Sequence, residues 1–180
     1  MSKVVVAFHS GYGHTRVIAD AVARGAAEVA RSEVRSLDVA TIDDAGWAAL
    51  AEADAIVFGA PTYMGGASGV FKTFADASSK VWFTQGWKNK IAGGFTCSAY
   101  PSGDKLSTLQ SMLTLAMQHG MVWAGLNIMG NETINRLGSS IGMMAHAGNT
   151  TPADAMHQGD LDTARAYGAR VAQVAAKLRA

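Results

Sequence analysis

Apolar and β-branched residues gather in five short runs: KVVVAF at 3–8, EVRSLDV at 33–39, DAIVFGAP at 54–61, KIAGGFTCS at 90–98 and MVWAGLNIMG at 121–130. Runs that are mostly apolar throughout are what strands covered on both faces require. Between them the spacing becomes helical, over 14–31, 45–52, 69–79, 105–119 and 160–178. In the last of these, Leu161, Ala164, Tyr167, Gly168, Val171, Val174, Ala175 and Leu178 fall near one stripe, with Arg165, Arg170, Lys177 and Arg179 mostly off it. Strands and helices taking turns predict right-handed βαβ units and a parallel sheet wrapped by helices, an α/β fold. No repeat, low-complexity tract or linker interrupts the pattern. The stretch 129–158, rich in Gly, Met, Ser and Asn, reads as one long irregular connection, a length that usually signals function or disorder.

Composition narrows the classes. A chain of 180 residues with 49% hydrophobic and 16% charged residues fills one core and is too short for two ordinary domains, so a single domain over 1–180 is expected. Fifteen Lys and Arg stand against 14 Asp and Glu, scattered rather than clustered, which gives nucleic acid and acidic lipid no support as partners. The start, MSKVVVAFHS, carries one Lys before a short apolar run, too short for a signal peptide or a membrane span, and a cytoplasmic location is expected. Cys97 is the only cysteine, so no internal disulfide forms, and no spacing of ligands points to a metal.

Candidate chemistry lies in three turns. HSGYGHT, residues 9–15, joins the first strand to the first helix. It lacks the Lys of a Walker A loop, and Arg16 stands where a dinucleotide fingerprint needs its third glycine. What remains is a loop offering hydroxyls at Ser10 and Thr15, with backbone N–H groups around Gly11 to His14 at the positive end of a helix. That arrangement suits a terminal phosphate monoester. GAPTYMGGASGVFKTF, residues 59–74, follows the third strand and offers Thr62, Tyr63 and Met64 on a Pro- and Gly-broken turn able to approach a flat ligand. FTCSAYPSGDK, residues 95–105, is small, polar and broken in the same way at the end of the fourth strand. In a doubly wound sheet such loops gather over one crevice.

The order of these motifs, HSGYGHT, PTYMGG, TCSAYPSG and QHGM, resembles the flavodoxin-like NAD(P)H:quinone oxidoreductases of the WrbA type, over nearly the whole chain including ARAYGARVAQVAAKL. The resemblance implies a flavodoxin-like three-layer sandwich, with a five-stranded parallel sheet in order 2-1-3-4-5 and helices on both faces. It implies FMN as the cofactor, with phosphate contacts from Ser10, Tyr12, Gly13, His14 and Thr15. Isoalloxazine contacts are implied from Pro61, Thr62, Tyr63, Met64 and Gly65, and from Cys97, Ser98, Ala99, Tyr100, Pro101, Ser102 and Gly103. It places His119 near the flavin, associates Tyr12 with the nicotinamide nucleotide, and puts Trp82 in the substrate pocket. It further implies NADH or NADPH as hydride donor, a quinone as acceptor and a homotetramer. The family's second loop commonly carries Arg and Asn where this chain has Tyr63 and Gly66, a loss of one positive charge and one amide.

Two other functions fit a flavin site: a flavodoxin-type electron carrier, and an FMN-dependent reductase of an azo, nitro or iron compound. Carriers of the first kind lean on an acidic face, which a net charge of +1 does not supply. Cys97 has no basic sequence neighbour to lower its pKa and reads as a buried strand-end residue. His9, His146 and His157 read as surface or structural, Met143 and Met144 as packing, and Trp87 and Trp123 as core or interface. His119 precedes Gly120 and also suits a helix C-terminus with no ligand nearby.

Overall fold

A computed structural model describes residues 1–149 and 156–178. The first strand, β1 (Ser2–Phe8), leads into helix α1 (His14–Ala27), then β2 (Ser32–Asp38), a short 3-10 turn, α2 (Asp44–Glu52) and β3 (Ala55–Tyr63). A two-residue strand β4 (Gly66–Ala67) is followed by α3 (Gly69–Ala77), α4 (Ser79–Phe83), β5 (Ile91–Ser98) and α5 (Lys105–Gln118). The chain closes with β6 (Val122–Trp123), β7 (Met143–His146) and α6 (Gln158–Leu178).

The sheet runs β2-β1-β3-β5-β6, with β7 also on β5, and these pairings are all parallel. Numbering only the five predicted strands, this is the expected order 2-1-3-4-5. Alternate residues of β1 face opposite layers. Val4, Val6 and Phe8 join a core shared with Ile18 and Val22 of α1 and Tyr167 and Val171 of α6. Val5 and Ala7 join one shared with Leu50 of α2, Phe71 and Phe74 of α3 and Leu109 and Met112 of α5. Sequence runs that are apolar on both parities follow from this double covering. Helices α1 and α6 touch backbone to backbone: a Cβ on Gly25 would stand 1.8 Å from the Arg165 carbonyl oxygen, and one on Gly168 1.9 Å from that of Val22.

The fifth strand departs from expectation. The run 121–130 is strand only at Val122–Trp123, and the chain then leaves the sheet until Met143–His146 takes up the same edge of β5. The outward path begins where Gly125 packs tightly on the Ser140 backbone, and Leu126 N donates to Ser140 O at 2.8 Å. The excursion is tied to α6. Asn135 N donates to Thr163 Oγ1 at 2.8 Å, and Arg136 reaches the buried Asp160 carboxylate through Nε at 3.2 Å and Nη2 at 3.4 Å. The connection expected over 129–158 is therefore ordered through this excursion and β7; its residues 150–155 lie outside the described residues.

Candidate functional site

The carboxyl ends of β1, β3 and β5 carry the three loops, and the loops meet over one cleft of about 550 Å³. Tyr12, His14, Thr15, Pro61, Thr62, Tyr63, Cys97, Ser98 and Ala99 line it, joined by Ala147, Gly148 and Asn149 after β7.

The first loop ends on Gly13, whose φ of 91° is left-handed; it caps α1 with no side chain, and the first turn holds no acid. The positive end of the helix dipole therefore meets no acidic side chain from its own first turn. Ser10 Oγ accepts from Arg16 N at 3.1 Å, which fixes the loop against the first turn. Thr15 is buried, its hydroxyl 3.4 Å from Cys97 Sγ.

The second loop is a tight hairpin rather than an open turn. Tyr63 pairs antiparallel with Gly66 across Met64 and Gly65, whose φ values of 47° and 77° are the paired positive angles of a type I′ turn. The hairpin leaves Met64 fully exposed, and Ser107 on α5 donates its hydroxyl to the Gly65 carbonyl. Beneath it, Thr62 Oγ1 is 2.8 Å from both Thr96 Oγ1 and Thr108 Oγ1, a buried hydroxyl cluster that fixes Thr62 in the cleft floor. His9 Nδ1 lies 2.7 Å from Ser68 Oγ and couples the first loop to the second, the structural role read for it. Tyr12 meets Tyr63 edge-on, with centroids 6.1 Å apart, at the mouth of the cleft.

The third loop is stapled from behind. Lys105, the first residue of α5, is completely buried, and its Nζ donates to Ser98 Oγ at 2.8 Å, Tyr100 O at 2.7 Å and Pro101 O at 2.8 Å. Its backbone N–H donates to Ser102 O, and the left-handed Gly103 leaves room for Ser98 Oγ, which a Cβ there would meet at 1.9 Å. From the far side, His146 Nε2 donates to Ala99 O at 2.9 Å, while His146 N donates to Asp160 Oδ2 at 2.9 Å. Sequence reasoning missed Lys105, the Asp160–His146 link and the 147–149 wall. A lysine at the start of a helix reads as solvated, and only its place directly after SGD at the mouth of a site loop marked it.

Burial pushes the Cys97 thiol up to about 11, against the smaller opposing effects of the Thr15 hydroxyl and the Lys105 charge. Cys97 is thus a neutral wall of the cleft, as expected, and not a thiolate. Burial raises the Tyr63 phenol, with Tyr12 and Cys97 adding to it, and lowers the Lys105 ammonium against the pull of Cys97 and Asp160.

His119 and Trp82 do not line this cleft within one chain. They line a second cleft between α3–α4 and α5, together with Phe71, Ser78 and Leu115. Ser78 gives its own proton to Ala75 O at 2.6 Å, so it accepts from His119 Nε2 at 2.9 Å, which places the imidazole proton on Nε2. Nδ1 is then a buried lone pair without a partner, beside the Trp87 ring at 4.3 Å between centroids. Burial lowers the His119 pKa below its ordinary 6.5, which favours the neutral ring. Trp82 is 44% exposed and Phe83 beside it 83%.

Among the described residues no group of three or more His, Cys, Asp or Glu side chains could hold a metal, and no helix is long and apolar enough to cross a membrane. The cleft suits a flavin mononucleotide by its own features: a helix N-terminus with no acidic side chain in its first turn and hydroxyls nearby for a phosphate, and a floor of Pro61, Thr62, Cys97 and Ala99 free of carboxylates.

Comparison with known proteins agrees with this assignment. The chain is 44% identical over 187 residues to flavodoxin FldP of Pseudomonas aeruginosa strain UCBPP-PA14, with all of both chains covered. It is 34% identical over 204 residues to an NAD(P)H dehydrogenase (quinone) of Archaeoglobus fulgidus, covering 99% of this chain and 100% of the relative. The crystal structure of a flavodoxin, WrbA-like protein from Agrobacterium tumefaciens superposes with a TM-score of 0.81 at 48% identity, covering 98% of this chain and 99% of the other. Residues 4–133 match the family described as NADPH-dependent FMN reductase, and the chain belongs to this family of FMN-dependent oxidoreductases.

Proposed function

We propose that the protein is an FMN-dependent NAD(P)H:quinone oxidoreductase that carries out two-electron reduction by a ping-pong route in one cleft. The observation that carries this reading is the mouth of the cleft: Tyr12 is 76% exposed and stands edge-on to Tyr63, an open aromatic platform beside an apolar floor. A planar nicotinamide and then a planar quinone can occupy such a platform in turn.

When bound, the flavin supplies the two-electron chemistry, and the chain's residues hold and orient it. Ser10, Gly13, His14 and Thr15 hold the phosphate end. Pro61, Thr62, Tyr63, Met64 and Gly65, with Cys97 to Gly103, form the walls against the ring. The protonated Cys97 adds no charge of its own to the wall, and the hydroxyl cluster under Thr62 satisfies the polar atoms of the floor within the chain. The second cleft, with His119, Trp82 and the exposed Phe83, suits closure against a neighbouring copy, so that a homotetramer completes each flavin site. In that assembly His119 contributes a neutral imidazole to the wall of the cleft that faces the acceptor.

An electron carrier is the second reading, and the relative named a flavodoxin favours it. Mixing the purified yellow protein with NADH or NADPH and benzoquinone separates the two. Rapid, sustained nucleotide oxidation with parallel double-reciprocal lines is expected. Reduction only by a partner reductase, with no steady-state turnover, would establish the carrier. Azo, nitro and ferric acceptors in the same assay rank the alternatives to quinone.

A further inference from the structure

Lys105 is a charged side chain built into the back of the cleft wall, and fixing a loop does not by itself need a charge. Its ammonium is completely buried, and its three side-chain hydrogen bonds end on neutral oxygens, those of Ser98, Tyr100 and Pro101. None of the ion pairs within 4.0 Å among the described residues includes it. The titratable groups that face it are few. The Cys97 thiol on β5 is held protonated, and Asp160 on α6 acts on it from beyond ion-pair range. Asp160 is already engaged by the Arg136 guanidinium and the His146 amide, and the His146 ring is turned to Ala99 O. A buried cation without a matching anion is costly, and its field reaches far in a low-dielectric wall. The residues it holds, Ser98 directly and Cys97 and Ala99 beside it, form the cleft surface.

We propose that Lys105 is a positioning residue that sets the reduction potential of the site: it fixes the 98–101 backbone and holds a positive charge without an ion-pair partner behind the cleft wall, favouring an anionic reduced flavin over the neutral oxidised one. The proposal rests on reading the cleft as the FMN site. The balance is simple. Two electrons added to the neutral ring with one proton leave it with a single negative charge, and with two protons leave it neutral. A cation behind the wall favours the first outcome, the electrons coming from the nicotinamide nucleotide, which is oxidised.

The test is a reductive titration of the holoprotein with dithionite against a reference dye, for the wild type, Lys105→Met and Lys105→Arg, after FMN affinity has been measured by flavin fluorescence. Lys105→Met should shift the oxidised-to-reduced equilibrium about tenfold toward the oxidised form, about 30 mV for a two-electron couple. Lys105→Arg, which keeps the charge, should stay within threefold of the wild type. At mildly acidic pH the wild type should take up one proton per two electrons and Lys105→Met two. A Lys105→Met protein that holds FMN with wild-type potential and proton count would overturn the proposal and leave Lys105 a structural staple. Should Lys105→Met fail to fold, the wild-type proton count decides alone, with two protons overturning it. Failure of the wild type to bind FMN would show in the fluorescence titration first and would refute the reading of the cleft itself.

Discussion

Gly94 in the middle of β5 donates its backbone N–H to the phenolic oxygen of Tyr167 on α6, at 3.0 Å. Gly94 pairs with Phe58 of β3 on one side, but on the other it falls between Ala92, the last residue of β5 paired with β6, and Phe95, the first paired with β7, so that edge has no strand opposite it. Tyr167 in turn donates to the Ala124 carbonyl at 2.7 Å, where the chain leaves the sheet. One side chain therefore substitutes for the missing rung of the ladder. Tyr167→Phe should leave both backbone groups buried without a partner and cost about 1–3 kcal/mol for each group so stranded, read as a lower urea midpoint with an unchanged slope.

Thr15 is buried at the start of α1 and lines the cleft at the end proposed for the phosphate. Thr15→Val keeps the shape and removes the hydroxyl, and should weaken FMN binding by about 1–3 kcal/mol. Riboflavin, which has no phosphate, should bind both proteins alike in the same fluorescence titration. Equal losses for the two ligands would place Thr15 against the ring instead.

The contact between α1 and α6 leaves no room for a methyl group at Gly168, because the opposing atom is backbone. Gly168→Ala should destabilise the fold by about 1–3 kcal/mol or more, although alanine is the better helix former. Gly66→Ala, with nothing within 4 Å of the added Cβ, is the control and should leave the melting temperature nearly unchanged.

Alkaline stability should carry the mark of Cys97. An unfolded thiol releases its proton near ~8.5, whereas burial holds the folded one to about 11. Between these values the folded state binds more protons than the unfolded chain, so stability falls as pH rises. The Cys97 contribution is intact below the unfolded value and is lost as pH rises through the folded one. Cys97→Ala should flatten this arm of the denaturation midpoint plotted against pH, and native Cys97 should resist iodoacetamide at neutral pH.

Much of this architecture was legible because double covering leaves a strong trace. The runs at 3–8, 54–61 and 90–98 became β1, β3 and β5 with small shifts at their ends, and the loops that follow them became three walls of the cleft. The strand at Met143–His146 was hidden because it is short and lies among Gly, Ser and Asn, and its partner, Phe95–Ser98, is distant in sequence. The run at 121–130 misled for the opposite reason. Its apolar residues Ala124 and Leu126 pack into the core without being in a strand. Lys105 and Asp160 were hard to read because a charged residue near a helix start ordinarily faces solvent, and for Lys105 only its place after SGD hinted otherwise. The place of His119 and Trp82, in a cleft apart from the loops, depends on how α3, α4 and α5 pack, which periodicity does not reveal.

The divided fifth strand has a consequence for how this sheet tolerates change. Since Val122–Trp123 and Met143–His146 each find their register on β5 separately, the length of chain between them sets neither register. Residues added at the turn of Gly138, where a side chain would meet nothing within 4 Å, would lengthen the excursion while His146 still holds Ala99 and the cleft wall. The edge of the sheet is thus a port where the protein can acquire new surface without disturbing the site that the other strands build.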